Sequence, residues 1–214
     1  MKNFLKNKSN VIILAFYGYF MIGLIGIANH LTKNLFLSLI PLTLLGISII
    51  TISLLIKENG KVILKIVFNI AAIAIVIEII GVKTGKLFGQ YMYLNNLGIK
   101  IFDVPIIIGL NWATLAFTTF LISKLITNKI YLQLLIASFL QVFYDFFIEN
   151  ITEQMGMWKW LNSNPPIENY IAWFLVALLF QLYLHRKGIK INNLFFIHIY
   201  TAQLLFMIIL NFIL

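Results

Sequence analysis

The chain has 214 residues, 61% of them hydrophobic and 11% charged, with a mean hydropathy of +0.96. A soluble domain of this length needs far more charge to cover its surface, so the composition points to an all-α, polytopic transmembrane helical bundle. The absence of cysteine excludes disulfides, thiolate metal sites and cysteine nucleophiles, and the net charge of +9 comes from lysines at the ends of apolar runs, where it sets orientation and is no sign of nucleic-acid binding.

Residues 1–10 are polar, carry Lys2, Lys6 and Lys8, and read as a cytoplasmic cap ahead of the first apolar run. Apolar runs at about 11–28, 35–56, 62–82, 105–123, 130–148, 170–185 and 194–214 predict about seven spans, each near the length that crosses ~30 Å of hydrocarbon, the sixth being the shortest. Pro41 falls in the first turns of the second run, and a loop rich in Gly, Tyr and Asn joins the third to the fourth. Pro165 and Pro166 are expected to stop any helix before the sixth. No linker divides the chain, so residues 1–214 read as a single transmembrane domain.

The basic residues alternate with the spans. Lys2, Lys6, Lys8, Lys57, Lys61, Lys65, Lys124, Lys129, Arg186, Lys187 and Lys190 collect on one side, and Lys33, Lys83, Lys86, Lys100 and Lys159 on the other. This split predicts a cytoplasmic N-terminus and a C-terminus on the far side. Glu78, the Gly/Tyr loop, Asn111, Asp145, Glu149 and the segment 158–160 then gather at the outer end of the bundle.

Acids within a span are expensive and face a cavity or a partner. Gln141, Asp145, Glu149 and Glu153 recur every four residues, one helical face with about 6 Å of rise per step. The alternative is a helix ending at Asp145 with the later acids in water, which weighs more for Glu153 than for Glu149. Glu78 follows a purely aliphatic run and reads either as a buried general acid or as an interfacial acid neutralised by Lys83 or Lys86. Two close carboxyls can divide into a protonated acid and an ionised base, while a hard cation held by carboxylates is the rival reading. His30, His185 and His198 show no ligand spacing. Tyr91, Tyr93, Trp112, Trp158, Trp160, Tyr170 and Trp173 read as an interfacial aromatic belt or as π-faces around a cationic intermediate.

The stretch EIIGVKTGKLFGQYMYLNNLGIKIFDVPIIIGLNWATLAF resembles the carotenoid biosynthesis protein family that includes bisanhydrobacterioruberin hydratase and other carotenoid 1,2-hydratases. The matching positions are Glu78, Gly81, Thr84, Gly85, Phe88, Gly89, Tyr91, Tyr93, Val104, Pro105 and Trp112. A second block matches at Asp145, Glu149, Gly156, Trp158 and Trp160, and a third at Pro166, Asn169, Tyr170, Trp173 and Phe174. The family often has proline after the second acid. This chain has Asn150, so the helix is expected to continue through Glu149.

The resemblance implies hydration of the terminal 1,2 double bond of a linear carotenoid such as lycopene, by acid protonation and water attack, with no cofactor and no metal. It implies Asp145, Glu149 and Glu78 as catalytic residues, and Tyr91, Tyr93, Asn111, Trp112, Trp158, Trp160, Asn169 and Trp173 as substrate-binding residues. Asp145, about 6 Å deeper than Glu149, is the expected acid. Glu149 is slightly favoured over Glu78 as the base. One of Trp158 and Trp160 is expected to line the pocket and the other to anchor at the interface. The implied partners are the carotenoid, the lipid bilayer (a bacterial inner membrane) and other enzymes of the pathway, with no nucleic acid. The alternatives are a cyclase using the same cation, a non-catalytic carotenoid-binding protein and an ion-conducting protein built on the acids. A retinal photoreceptor is disfavoured because the last span has no lysine for a Schiff base.

The charge split makes a prediction of its own. A topology reporter fused after Leu214 should read as non-cytoplasmic, and a cytoplasmic signal would reverse the bundle.

Overall fold

In hydrocarbon each backbone N–H and C=O must be satisfied within its own segment, so a long apolar run has one stable form, the helix. The computed structural model describes residues 2–162 and 164–214, with side chains described from Asn10 onward. Its helices are α1 (Lys2–Ala28), α2 (Lys33–Ser38), α3 (Ile40–Asn59), α4 (Ile63–Thr84), α5 (Ile106–Ile126), α6 (Ile130–Glu149), α7 (Ile167–Arg186) and α8 (Phe195–Ile213). All but α2 are long and apolar enough to cross a membrane, which gives seven spans among the described residues and an all-α bundle.

Three boundaries differ from expectation. The polar start is helical: α1 is continuous from Lys2, ahead of a membrane-length segment at Asn10–Ala28, while the side chains of Lys2, Lys6 and Lys8 lie outside the described residues. The second run is broken at Leu39, because Pro41 sits in the first turn of α3 and has no N–H to carry the ladder back into α2. The sixth span starts earlier than expected, at Ile167, directly after an extended Pro166, and so reaches 20 residues.

Helix α5 is the axis of the bundle. It packs against α3, α4, α6, α7 and α8. Its span is 83% buried, against 22–39% for the other six. The sequence permits this because one helix carries Gly109, Ala113, Thr114, Ala116, Thr118, Thr119 and Ser123, small residues that let neighbours approach closely. At Gly109 an added Cβ would lie 2.7 Å from the carbonyl oxygen of Ala71 on α4. Gln141 and Gln181 reach in from α6 and α7 and both donate to the Thr119 hydroxyl, at 3.2 and 3.1 Å. Large apolar side chains such as Leu14, Ile25, Phe68 and Phe139 face outward, as a lipid-facing surface requires.

The loops at one end carry short strands: β1 (Tyr91–Tyr93), β2 (Lys100–Ile101), β3 (Val104–Pro105) and β4 (Trp158–Trp160). β2 and β3 form a tight hairpin turned by Phe102 and Asp103, both at positive φ. β1 and β4 come from different loops and pair antiparallel, with Tyr91 opposite Trp160 and Tyr93 opposite Trp158.

Replacing Gly109 by Val should force α4 off α5 and destabilise the protein by about 1–3 kcal/mol, the usual range for overpacking. Gly46→Ala, whose Cβ would meet nothing within 4 Å, should leave the unfolding midpoint in detergent unchanged or raise it.

Candidate functional site

The ends of α4 and α6 and the beginnings of α5 and α7 meet beneath the β1–β4 ribbon. Side chains alternate along a strand, so the two tyrosines of β1 and the two tryptophans of β4 point to one face, toward the helices. Met92 and Lys159 take the other face. Parity therefore aims four polar-tipped aromatics at the acids below.

Glu78 on α4 is buried and accepts three hydrogen bonds. The Tyr91 and Tyr93 hydroxyls donate to Oε2 at 2.6 and 2.9 Å, and Trp112 Nε1 of α5 donates to Oε1 at 3.0 Å. Burial first, and then the Glu78 charge, push both phenols well above their ordinary pKa, so they stay donors at neutral pH. Lys83, one expected neutraliser of Glu78, pairs instead with Asp103, the one ion pair among the described residues. The interfacial reading of Glu78 is thereby replaced by a buried one.

Glu149, the last residue of α6, is also buried, as expected for a helix that continues through it. Its Oε2 accepts from Trp158 Nε1 at 3.1 Å and Trp160 Nε1 at 2.6 Å. The expected division of labour between the two tryptophans does not hold, because on a strand they share a face and both reach the same oxygen. Glu153 lies past the helix end and is exposed. Asn169, in the first turn of α7, donates its carboxamide N–H to Asp145 Oδ2 at 2.8 Å and to Glu149 Oε1 at 3.3 Å. Asp145 Oδ1 is buried and meets no donor among the described residues. Trp112 and Trp173 stack with ring centroids 3.9 Å apart.

These groups enclose a cavity of about 50 Å³. Glu78, Glu149, Tyr91, Tyr93, Asn111, Trp112, Trp158, Trp160, Asn169 and Trp173 all line it. Asp145 does not: it accepts from Asn169, which itself lines the space, while its neighbour Tyr144, at the same depth on α6, reaches the wall. The aromatic-belt reading is likewise replaced for Tyr91, Tyr93, Trp112, Trp158 and Trp173, which are buried, whereas Tyr170 is only partly so. Sequence reasoning missed several members of the wall, among them Ile40 and Leu44 of α3, Tyr144 of α6 and Met207 of α8. Ile40, Leu44 and Met207 are ordinary members of apolar runs, and nothing local distinguishes them from lipid-facing neighbours. Among the described residues no three His, Asp or Glu side chains come together as a metal-ligand set, and the carboxylate oxygens of Glu78 and Glu149 are occupied by N–H and O–H donors.

Residues 38–214 match the family described as Carotenoid biosynthesis protein, a stretch that contains every residue of the cavity wall. No curated protein and no solved structure matches the chain.

Tyr91→Phe and Tyr93→Phe each remove one hydroxyl donor from Glu78 and leave the ring in place. Each should lower the unfolding free energy by about 1–3 kcal/mol, the range for a hydrogen bond lost at a buried carboxylate. Two silent substitutions would mean that Glu78 does not depend on the ribbon.

Proposed function

The chain belongs to the carotenoid biosynthesis protein family, and on that premise we propose that it is a hydratase acting on the terminal 1,2 double bond of a linear carotenoid. The observation that carries this reading is the pair of buried carboxyls, Glu78 and Glu149, on one cavity wall with aromatic N–H and O–H donors and, among the described residues, no basic residue as counter-ion. Acids that only held the bundle together would be expected to pair with cations or to sit away from open space.

In this mechanism the Glu149 carboxyl gives its proton to C2 of the alkene. The π electrons form the new C–H bond and leave a tertiary cation at C1. As Glu149 becomes an anion, the Trp158 and Trp160 N–H groups already point at its oxygen, so the charge develops among donors that need not reorganise. The rings of Tyr91, Tyr93 and Trp112 line the cavity in which the cation forms, and their π-electrons would favour it. A water molecule attacks C1 and gives a proton to Glu78, leaving a tertiary alcohol. The proton gained by Glu78 equals the one lost by Glu149, and transfer between them across the cavity restores the start. The cavity volume is several times the 10–15 Å³ that one water needs, and the Asn111 carboxamide, on the wall with no side-chain partner among the described residues, suits the task of holding it.

Asp145, expected to be the acid, is assigned a different part. It sits behind Glu149 and shares the Asn169 donor with it, so it acts on the Glu149 proton and not on the substrate. With a cytoplasmic N-terminus the site would lie toward the outer leaflet, where a carotenoid can present its end from the bilayer.

The test is conversion of lycopene to its 1-hydroxy product by matched amounts of purified protein. Glu149→Gln should lower the rate by about 10²-fold or more, the contribution usual for general acid catalysis. Asp145→Asn should reduce it less and move its pH profile. A Glu149→Gln protein that folds, binds carotenoid and hydrates at the wild-type rate would defeat the mechanism. Cyclic products from the wild type would favour the cyclase reading.

A further inference from the structure

The carboxylate cavity is too small for the substrate it is proposed to act on, so the chain behind the reacting end must lie in adjoining space. A larger cavity of about 110 Å³ lies between α1, α3 and α8, and Ile40, Leu44 and Met207 line both. An acidic chamber and an apolar one therefore adjoin at these three side chains. The apolar chamber is walled by groups such as Phe20, Ile47 and Phe206, and from Ile40 to Ile47 it follows α3 for about 10 Å of helix rise. Tyr19 and Ile22 of α1 also line it and are 51% and 62% exposed in mid-span, where the neighbour is lipid. The chamber therefore opens sideways into the bilayer, where a polyene dissolves.

We infer that this groove between α1, α3 and α8 binds the apolar tail of a linear polyene, whose end passes Ile40, Leu44 and Met207 to reach the carboxylates. The identity of the reacting end rests on the hydratase reading. The occupancy of the groove by the tail does not. A second opening between α4 and α7 is the competing route, but it shares only Phe88 with the carboxylate cavity and has Lys86 and Glu168 on its wall. An apolar chain would pass beside those charges only with loss of their hydration.

The experiment expresses the full chain in lycopene-producing cells and measures lycopene retained per protein after purification in detergent. Thr43→Trp and Gly23→Leu fill the groove at two independent points: Thr43 is only half-buried, and an added Cβ at Gly23 would meet the movable Phe206 ring at 3.2 Å. Leu175→Trp fills the competing opening at a residue 58% exposed. Unfolding midpoints and elution volumes identify which variants fold. The groove variants should lose most of the bound pigment and Leu175→Trp should keep it. Folded groove variants that hold as much lycopene as wild type, or that lose only a co-purified phospholipid, would overturn the inference. So would loss confined to Leu175→Trp, equal loss in all three, or a wild type that holds no polyene. A wild type that binds lycopene without hydrating it would sink the hydratase reading alone, and the groove would still be judged by its own variants.

Discussion

Two carboxyls buried in a membrane bundle, with no counter-ion among the described residues, need hydrogen-bond donors, and the rest of this end of the molecule follows from supplying them. A lone buried charge is costly, and the cost falls only when good donors are already in place. Five of them come from aromatic side chains: two phenols and one indole for Glu78, two indoles for Glu149. Such groups satisfy a carboxylate without neutralising it, and their ring bodies seal the cavity. A lysine in the same place would have removed the charge that the proposed chemistry uses.

The donors arrive through the pairing of β1 with β4. Each strand has three residues and neither would be stable alone. The pairing is supported by the packed loops around it. Gly81 of α4 is one such support, because an added Cβ there would lie 2.5 Å from the Phe88 ring and 3.3 Å from the Tyr91 hydroxyl. The backbone of α4 thus makes room for the strand that covers it. The ribbon covers the site, and each of its two strands holds one acid.

Below the ribbon, α5 explains how acids from α4 and α6 come to share one cavity. Its small residues draw α4 close on one side while Thr119 takes the glutamines of both α6 and α7 on the other. Trp112 then emerges between the two and donates to Glu78 while stacking on Trp173 of α7. Asn169 performs the matching task for α6 and α7, tying Asp145 to Glu149. The polar contacts concentrate on one side of the cavity and the apolar walls of α3 and α8 face them, a division that suits a substrate with one reacting end and a long inert tail.

The seven spans, the membrane setting and the gathering of acids and aromatics at one end could be read from the sequence. Each of these depends on composition and on the order of residues along one segment, and hydrocarbon allows an apolar run only one backbone form. The stop before Pro166 was legible in kind, because proline has no N–H to carry a helical ladder, though the exact start of α7 was not; the break ahead of Pro41, inside a run expected to be continuous, was not legible. Which side chains meet was decided only by the tertiary structure. Tyr93 and Trp158 lie in separate loops, and three residues are too few for a strand's period to declare itself, so their shared face could not be known beforehand. Asp145 and Glu149 share a helical face, but which of them reaches open space depends on where α7 places Asn169. Ile40, Leu44 and Met207 look like any other apolar residues until α3 and α8 bring them together beside the acids.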